Sequence, residues 1–149
     1  EYYLTHSFDK SSNSAGWIFA DYKNKFDGTD KNIVVYGHNR KDKSMFGSLR
    51  NVLSSDWQNN SENTEITFIS EKENCIYKVF SVYQIEKEDY YIKTNFSSSN
   101  EFEKFLATIK NRSVKNFGTP GSSADSILTL STCAANDNYR IVLHAKKSN

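Results

Sequence analysis

Short runs of β-branched and aromatic residues recur along this chain, each closed by polar turn residues, and strong helical spacing of apolar residues occurs in one segment only. That imbalance constrains the fold most. Strands that present an apolar face every second residue must stack into a sandwich or close into a barrel. The runs are Tyr2-Tyr3-Leu4, Trp17-Ile18-Phe19, Asn32-Ile33-Val34-Val35-Tyr36, and residues 64–70, 75–85, 126–133 and 139–145. In the stretch 64–70, Ile66 and Phe68 share one face and Thr67 and Ile69 the other. The last two runs are joined by Ala134-Ala135-Asn136-Asp137-Asn138, which has the composition of a turn. Residues 99–111 are the exception: Phe102, Phe105, Leu106 and Ile109 form a stripe of helical period. Ser98 with Glu101 supplies a capping-box start, and Lys110 and Arg112 suit the negative end of the dipole. Shorter helical turns are expected over 45–52 and around Trp57. The expectation is one mainly β domain over residues 1–149, of seven or eight strands, with the helix packed outside the sheet.

A chain of 149 residues can bury a substantial core. Apolar residues supply only 37% of it, and ten Phe, nine Tyr and two Trp offset that with large buried areas. Charges nearly cancel at +1 without a clustered basic footprint, which argues against a nucleic-acid partner. No apolar run is long enough to span a bilayer. Two cysteines are too few for a disulfide framework, no Cys-x-x-Cys pair occurs, and the three histidines are far apart in sequence. Neither a metal nor a cofactor is expected.

Three residues stand where chemistry is easiest to support. Cys133 closes the run 128–133, where a buried strand gives way to a polar turn, so a thiol there is held by the sheet yet can reach solvent. The plain alternative is a small buried hydrophobe, which most free cysteines are. Cys75, inside the β-run 75–79, is read that way. His38 follows Tyr36-Gly37 at the end of a strand, and Gly37 permits close backbone approach. His6 and His144 lack such a setting and read as structural. Arg140 enters a β-run of Ile141, Val142 and Leu143, where its stem can cover apolar surface or its head can stand beside the thiol. Together the three meet the logic of covalent catalysis: nucleophile, proton carrier and charge stabiliser.

These segments resemble a sortase, and more closely a class B sortase. Thr129-Leu130-Ser131-Thr132-Cys133 matches the family's Thr-Leu-x-Thr-Cys nucleophile motif. Tyr36-Gly37-His38-Asn39 resembles the histidine motif and Tyr139-Arg140-Ile141-Val142 the arginine strand. Tyr2-Tyr3-Leu4 with Gly16-Trp17-Ile18-Phe19-Ala20-Asp21, Met45-Phe46-Gly47-Ser48-Leu49 and Thr94-Asn95-Phe96 before the helix also fit, in family order.

The resemblance implies a closed eight-stranded β-barrel with peripheral helices, on the extracellular face of a Gram-positive membrane, tethered by an upstream anchor. It implies a transpeptidase without cofactor: Cys133 as nucleophile, His38 as acid and base, Arg140 as oxyanion stabiliser. Its partners would be a Leu-Pro-x-Thr-Gly-like or Asn-Pro-x-Thr-like sorting signal of surface proteins and a peptidoglycan amine. Leu4, Tyr91 and Ile92 fall near positions that line the family's peptide site, and Ser131 and Thr132 directly precede the nucleophile. Ala134 and Ala135 stand where some members carry an acidic residue, which bears on the neighbouring subsite. The loop 116–121 precedes the nucleophile strand and has the composition of a flap or a plain loop. On the residues alone two other readings stay open: a cysteine hydrolase of another family, and a non-catalytic β-rich surface module.

Overall fold

The computed structural model describes residues 2–118, 122, 125–133 and 138–148, with Cys133 described by its backbone alone. Residues 134–137 of the expected turn and 119–121 of the expected flap lie outside the described residues. Among the described residues there are six strands: β1 (Phe19–Ala20), β2 (Asn32–His38), β3 (Glu65–Ile69), β4 (Asn74–Glu86), β5 (Ile127–Cys133) and β6 (Tyr139–Lys147). They form one sheet in the order β1-β2-β5-β6-β4-β3. Within it β2 and β5 run parallel, and every other neighbouring pair is antiparallel.

Both faces of the central strands are covered, which is why β2 reads Ile33-Val34-Val35 without alternation. One face carries a cluster that includes Ile33, Cys75, Tyr77, Val82, Leu128 and Leu143, closed by Val52 and Trp57 from the short helical segments Gly47–Leu53 and α1 (Ser55–Asn59). Cys75 is a buried free cysteine in this cluster. The other face packs Phe80, Tyr83, Ile127 and Val142 against Phe102, Phe105 and Ile109 of α2 (Ser99–Asn111). A bulge at Phe80 lets β4 serve both layers. The register against β6 jumps from Val79 to Ser81, so Val79 and Val82 share one cluster while Phe80 and Tyr83 join the other.

Helix α2 starts where its sequence cue lies. The Ser98 hydroxyl accepts from the Glu101 N–H at 3.1 Å. The Glu101 carboxylate is bound by Lys93 and by the Ser97 backbone and hydroxyl, which hold its pKa down at about 2.

Mainly β is what the chain folds into, but the closed eight-stranded barrel is not formed by the described residues. Tyr2–Leu4 is a 3-10 turn, not a strand, and is tied back by the Trp17 N–H donating to the Tyr3 carbonyl at 2.7 Å. Trp17 and Ile18 stay exposed, and only Phe19 and Ala20 pair, with Tyr36 and Val35. No pairing joins the edge strands β1 and β3 among the described residues. Aromatic residues near the N-terminus therefore mimic strand composition while serving as a surface wall.

Candidate active site

The parallel pairing of β2 with β5 sets the geometry. It places His38 beside Cys133 as Cα partners at the last position of each strand. On the other side of β5 the register pairs Ser131 with Val142, and the Ile141 N–H donates to the Thr132 hydroxyl at 2.9 Å. On β6, Arg140 pairs with Ile85 of β4. Two residues deeper, Tyr36, Ser131, Val142 and Tyr83 form a row across the same four strands, and below that Val34, Thr129, His144 and Ser81. Steps of two keep a strand residue on one face, so Tyr36 and His38 lie on the face of Val142 and Arg140.

That face opens into a cavity of about 610 Å3, lined by Leu4, Tyr36, Tyr91, Ile92, Arg140 and Asp21 among others. Arg140 is only 8% exposed, with a guanidinium N–H donating to the Tyr139 carbonyl at 3.0 Å. Asp21 is buried and accepts from the Tyr36 hydroxyl at 2.7 Å and from the Lys23 N–H at 2.9 Å. A smaller cavity of about 230 Å3, between Phe80, Lys110 and Lys115, holds none of these residues.

His38 is clamped from several sides. Its Nε2 bonds the Leu4 carbonyl, and a carbonyl only accepts, so Nε2 carries a proton. Gly16, at φ +65°, passes beneath this contact; a Cβ there would lie 2.6 Å from the carbonyl oxygens of Tyr3 and Leu4 and 2.9 Å from the His38 ring. On the opposite face the Phe46 ring fills the space over Gly37, where a Cβ would stand 2.8 Å from it. The Phe46 N–H donates to the His38 carbonyl at 2.8 Å. Composition marks Gly37 as a close-approach position, but nothing local to Gly16 or Phe46 shows that they converge on the histidine.

Of the residues singled out from the sequence, Leu4, Tyr91, Ile92 and Arg140 line the cavity, and His38 borders it through Leu4. Ser131 and Thr132 are buried behind it. The Ser131 hydroxyl shares a hydrogen bond with the Tyr91 hydroxyl at 2.8 Å, and Thr132 is occupied by Ile141. His144 is a satisfied structural histidine: it lies between Thr129 and Tyr83, and burial pushes its pKa down to about 3. Burial also raises the Tyr83 phenol. Among the described residues no group of three His, Cys, Asp or Glu side chains is placed to share a metal ion.

His38 and Cys133 at paired strand ends, with Arg140 of the next strand lining the groove, are residue types that can support acyl transfer. The Sortase domain family matches residues 2–148. Sortase B of Listeria monocytogenes is 37% identical over 149 residues, covering 98% of this chain and 60% of the relative. A Staphylococcus aureus sortase B–substrate complex superposes with a TM-score of 0.91 at 30% identity, over 99% of this chain and 69% of that one. A sortase B complexed with triglycine superposes equally well, with a TM-score of 0.91 at 31% identity, over 99% of this chain and 69% of that one. The chain spans about 60% of the length of the curated relatives it matches. With a family match across nearly the whole chain and a shared fold at this level of identity, the chain belongs to the sortase family, on its sortase B branch.

Proposed function

We propose that this chain is the catalytic domain of a cysteine transpeptidase that cleaves a sorting signal of surface proteins and transfers them to a cell-wall amine. The observation that carries the reading is the row at the strand ends. His38 and Cys133 are register partners, the β5–β6 pairing runs up to Ser131 and Val142, and Arg140 lies two residues further toward the start of β6, on the face of Val142. Cys133 is the nucleophile, its thiolate attacking the scissile carbonyl carbon of the peptide. Arg140 stabilises the oxyanion; removing such a donor typically costs about 3 kcal/mol. Protonated His38 gives its proton to the departing amine as the C–N bond breaks, leaving a thioester on Cys133. An incoming amine then attacks that thioester, His38 takes its proton, and the C–S bond breaks to release the thiolate, restoring the starting pair.

Leu4, Tyr91 and Ile92 form the apolar wall for the peptide, with Ser131 and Thr132 buffering it from behind. The relatives solved as a substrate complex and with triglycine support a peptide and an amine as the two partners. The reading extends to the extracellular face of the membrane, with an anchor supplied outside this sequence. No helix among the described residues is long and apolar enough to cross a bilayer.

Mixing the protein with a sorting-signal peptide and triglycine, followed by mass spectrometry, tests the reading. The expected result is a peptide thioester on Cys133 that is lost in Cys133→Ala, and an amide product whose yield rises with triglycine. A thioester resolved only by water, whatever the amine concentration, would replace transpeptidase with hydrolase. No adduct at all would remove the enzyme.

A further inference from the structure

Below the strand ends, centred on the row of Thr129 and His144, lies a buried string of polar side chains that the proposed chemistry does not touch. We infer that Tyr83, His144, Thr129 and Asn32 form a one-directional hydrogen-bond chain that positions the groove wall bearing Tyr91 and Ile92. The relevance to peptide binding rests on the function proposed above; the chain itself does not.

The direction follows from the chemistry of each group. The Asn32 Nδ2 donates to the Lys93 carbonyl at 2.8 Å and, longer, to the Tyr91 carbonyl at 3.5 Å. Its Oδ1 is therefore turned inward, where the Thr129 hydroxyl donates to it at 2.7 Å. A hydroxyl has one proton, so toward His144 Nδ1, 2.8 Å away, Thr129 can only accept. Nδ1 must carry the imidazole proton. With Nδ1 protonated and the ring neutral in its apolar setting, Nε2 is bare and accepts from the Tyr83 hydroxyl at 2.8 Å. Every donor and acceptor in the string has one role, and reversing any link leaves two protons or two lone pairs facing each other.

The path crosses four adjacent strands, β4, β6, β5 and β2, and ends outside the sheet. Its terminus is the backbone of the 3-10 turn Tyr90–Ile92 and of Lys93, which carries two residues of the cavity lining. Asn32, Thr129 and His144 are fully buried, so no water can replace a lost link without a cavity for it. The Tyr91–Ser131 hydroxyl pair ties the same turn to β5 one row nearer the strand ends. The wall is thus registered against the strand that carries position 133 by bonds from inside the sheet. Thr129 is the first residue of the Thr-Leu-x-Thr-Cys stretch, so this assigns it a task distinct from the nucleophile's.

The test needs three readouts on the intact chain. In the wild type, nitrogen-resolved NMR should find His144 as the neutral Nδ1–H tautomer, unchanged from about pH 5 to about pH 9. An Nε2–H tautomer, or titration in that range, overturns the chain whether or not any variant folds. Thr129→Val should speed amide exchange of residues 90–93, and Thr129→Ser, which keeps the hydroxyl, should restore it. Equal exchange in all three overturns the positioning role. In turnover with a sorting-signal peptide, Thr129→Val should raise KM about tenfold with little change in kcat, while alkylation of Cys133 by iodoacetamide keeps its rate and pH profile. A fall in kcat and in alkylation rate together would make the effect a general disturbance of the nucleophile strand. A wild type that forms no thioester sinks the proposed function, and the tautomer and exchange readouts still decide the chain.

Discussion

Replacing Gly16 by alanine should cost activity that an equally strained glycine replacement elsewhere does not. The new Cβ would sit 2.6 Å from two carbonyl oxygens and 2.9 Å from the His38 ring. Ordinary carbon contacts begin at about 3.5 Å, so something must retreat by close to 1 Å. The sheet side of the contact is fixed, because His38 ends β2 and its carbonyl is held by Phe46. The segment carrying Tyr3 and Leu4 is a short surface turn, with Tyr2 half exposed, and it is the part that can move. Its retreat takes the Leu4 carbonyl from His38 Nε2 and shifts one wall of the cavity.

The stability terms are small. A non-glycine residue in the left-handed region costs about 1–2 kcal/mol, and one hydrogen bond about 1 kcal/mol. The catalytic term acts through positioning: without the Leu4 carbonyl the His38 ring loses a partner that holds it, and a ring free to stray by about 1 Å can cost about a hundredfold in rate. Gly28→Ala is the control. It carries a similar φ of +87°, but its nearest neighbour would be the Glu73 carboxylate at an ordinary 3.7 Å. Urea unfolding and peptide transfer measured on both variants should show a stability loss in each, larger in Gly16→Ala by about one hydrogen bond, with a rate loss in Gly16→Ala only. Full transfer activity in Gly16→Ala would refute the clamp. So would an equal loss of activity in Gly28→Ala.

Three further outcomes are expected. Arg140→Lys should lower kcat for thioester formation roughly a hundredfold with KM little changed, in single-turnover mass spectrometry, because a single ammonium cannot reproduce the guanidinium's fixed fork. Phe105→Ala, which empties the layer between α2 and β6, should cost about 3–5 kcal/mol in urea unfolding while leaving the thiol's alkylation rate intact in the folded fraction. Acid should destabilise the fold through His144: its pKa falls from 6.5 to about 3 on folding, so the unfolded chain binds the proton first. The contribution is fully present above about pH 6.5 and is lost as pH falls toward 3, by about 1.4 kcal/mol per pH unit. Glu101, depressed to about 2 from 4.5, adds its own loss only lower down, so a slope between about pH 6.5 and 4.5 that His144→Gln removes is the signature.

How much of this was legible in the sequence depends on how local each signal is. The helix over 99–111 needed only its own stripe and cap, and α2 runs from Ser99 to Asn111. The run 32–36 became β2, two residues longer, since Gly37 and His38 continue the pairing to Cys133. The Tyr2–Leu4 turn misled because aromatic density marks strands and exposed walls alike. His144 gave no hint of its partners, which lie 15 and 61 residues away in sequence. Strand alternation did put it on the face of Arg140 and Val142, which is the face on which the buried string runs.

That the three candidate residues lie at one edge of the sheet follows from strand direction. His38 and Cys133 are the last residues of their strands, and two C-terminal ends meet at one edge only if the strands run parallel, as β2 and β5 do. Arg140 lies at the beginning of β6, and a beginning reaches that same edge only if its strand is antiparallel to β5. A parallel neighbour cannot be reached by a tight turn, so the chain between His38 and Ile127 must leave the sheet's centre and return. That detour is where β3, β4 and α2 are built, together with the 3-10 turn carrying Tyr91 and Ile92. The crossover that aligns the strand ends therefore also supplies the wall of the groove beside them. A change in the β2–β5 register by a single residue would separate His38 from Cys133 and send the slipped strand's side chains into the opposite layer of the core. The packing of the two central strands and the juxtaposition of His38 with Cys133 thus rest on the same pairing.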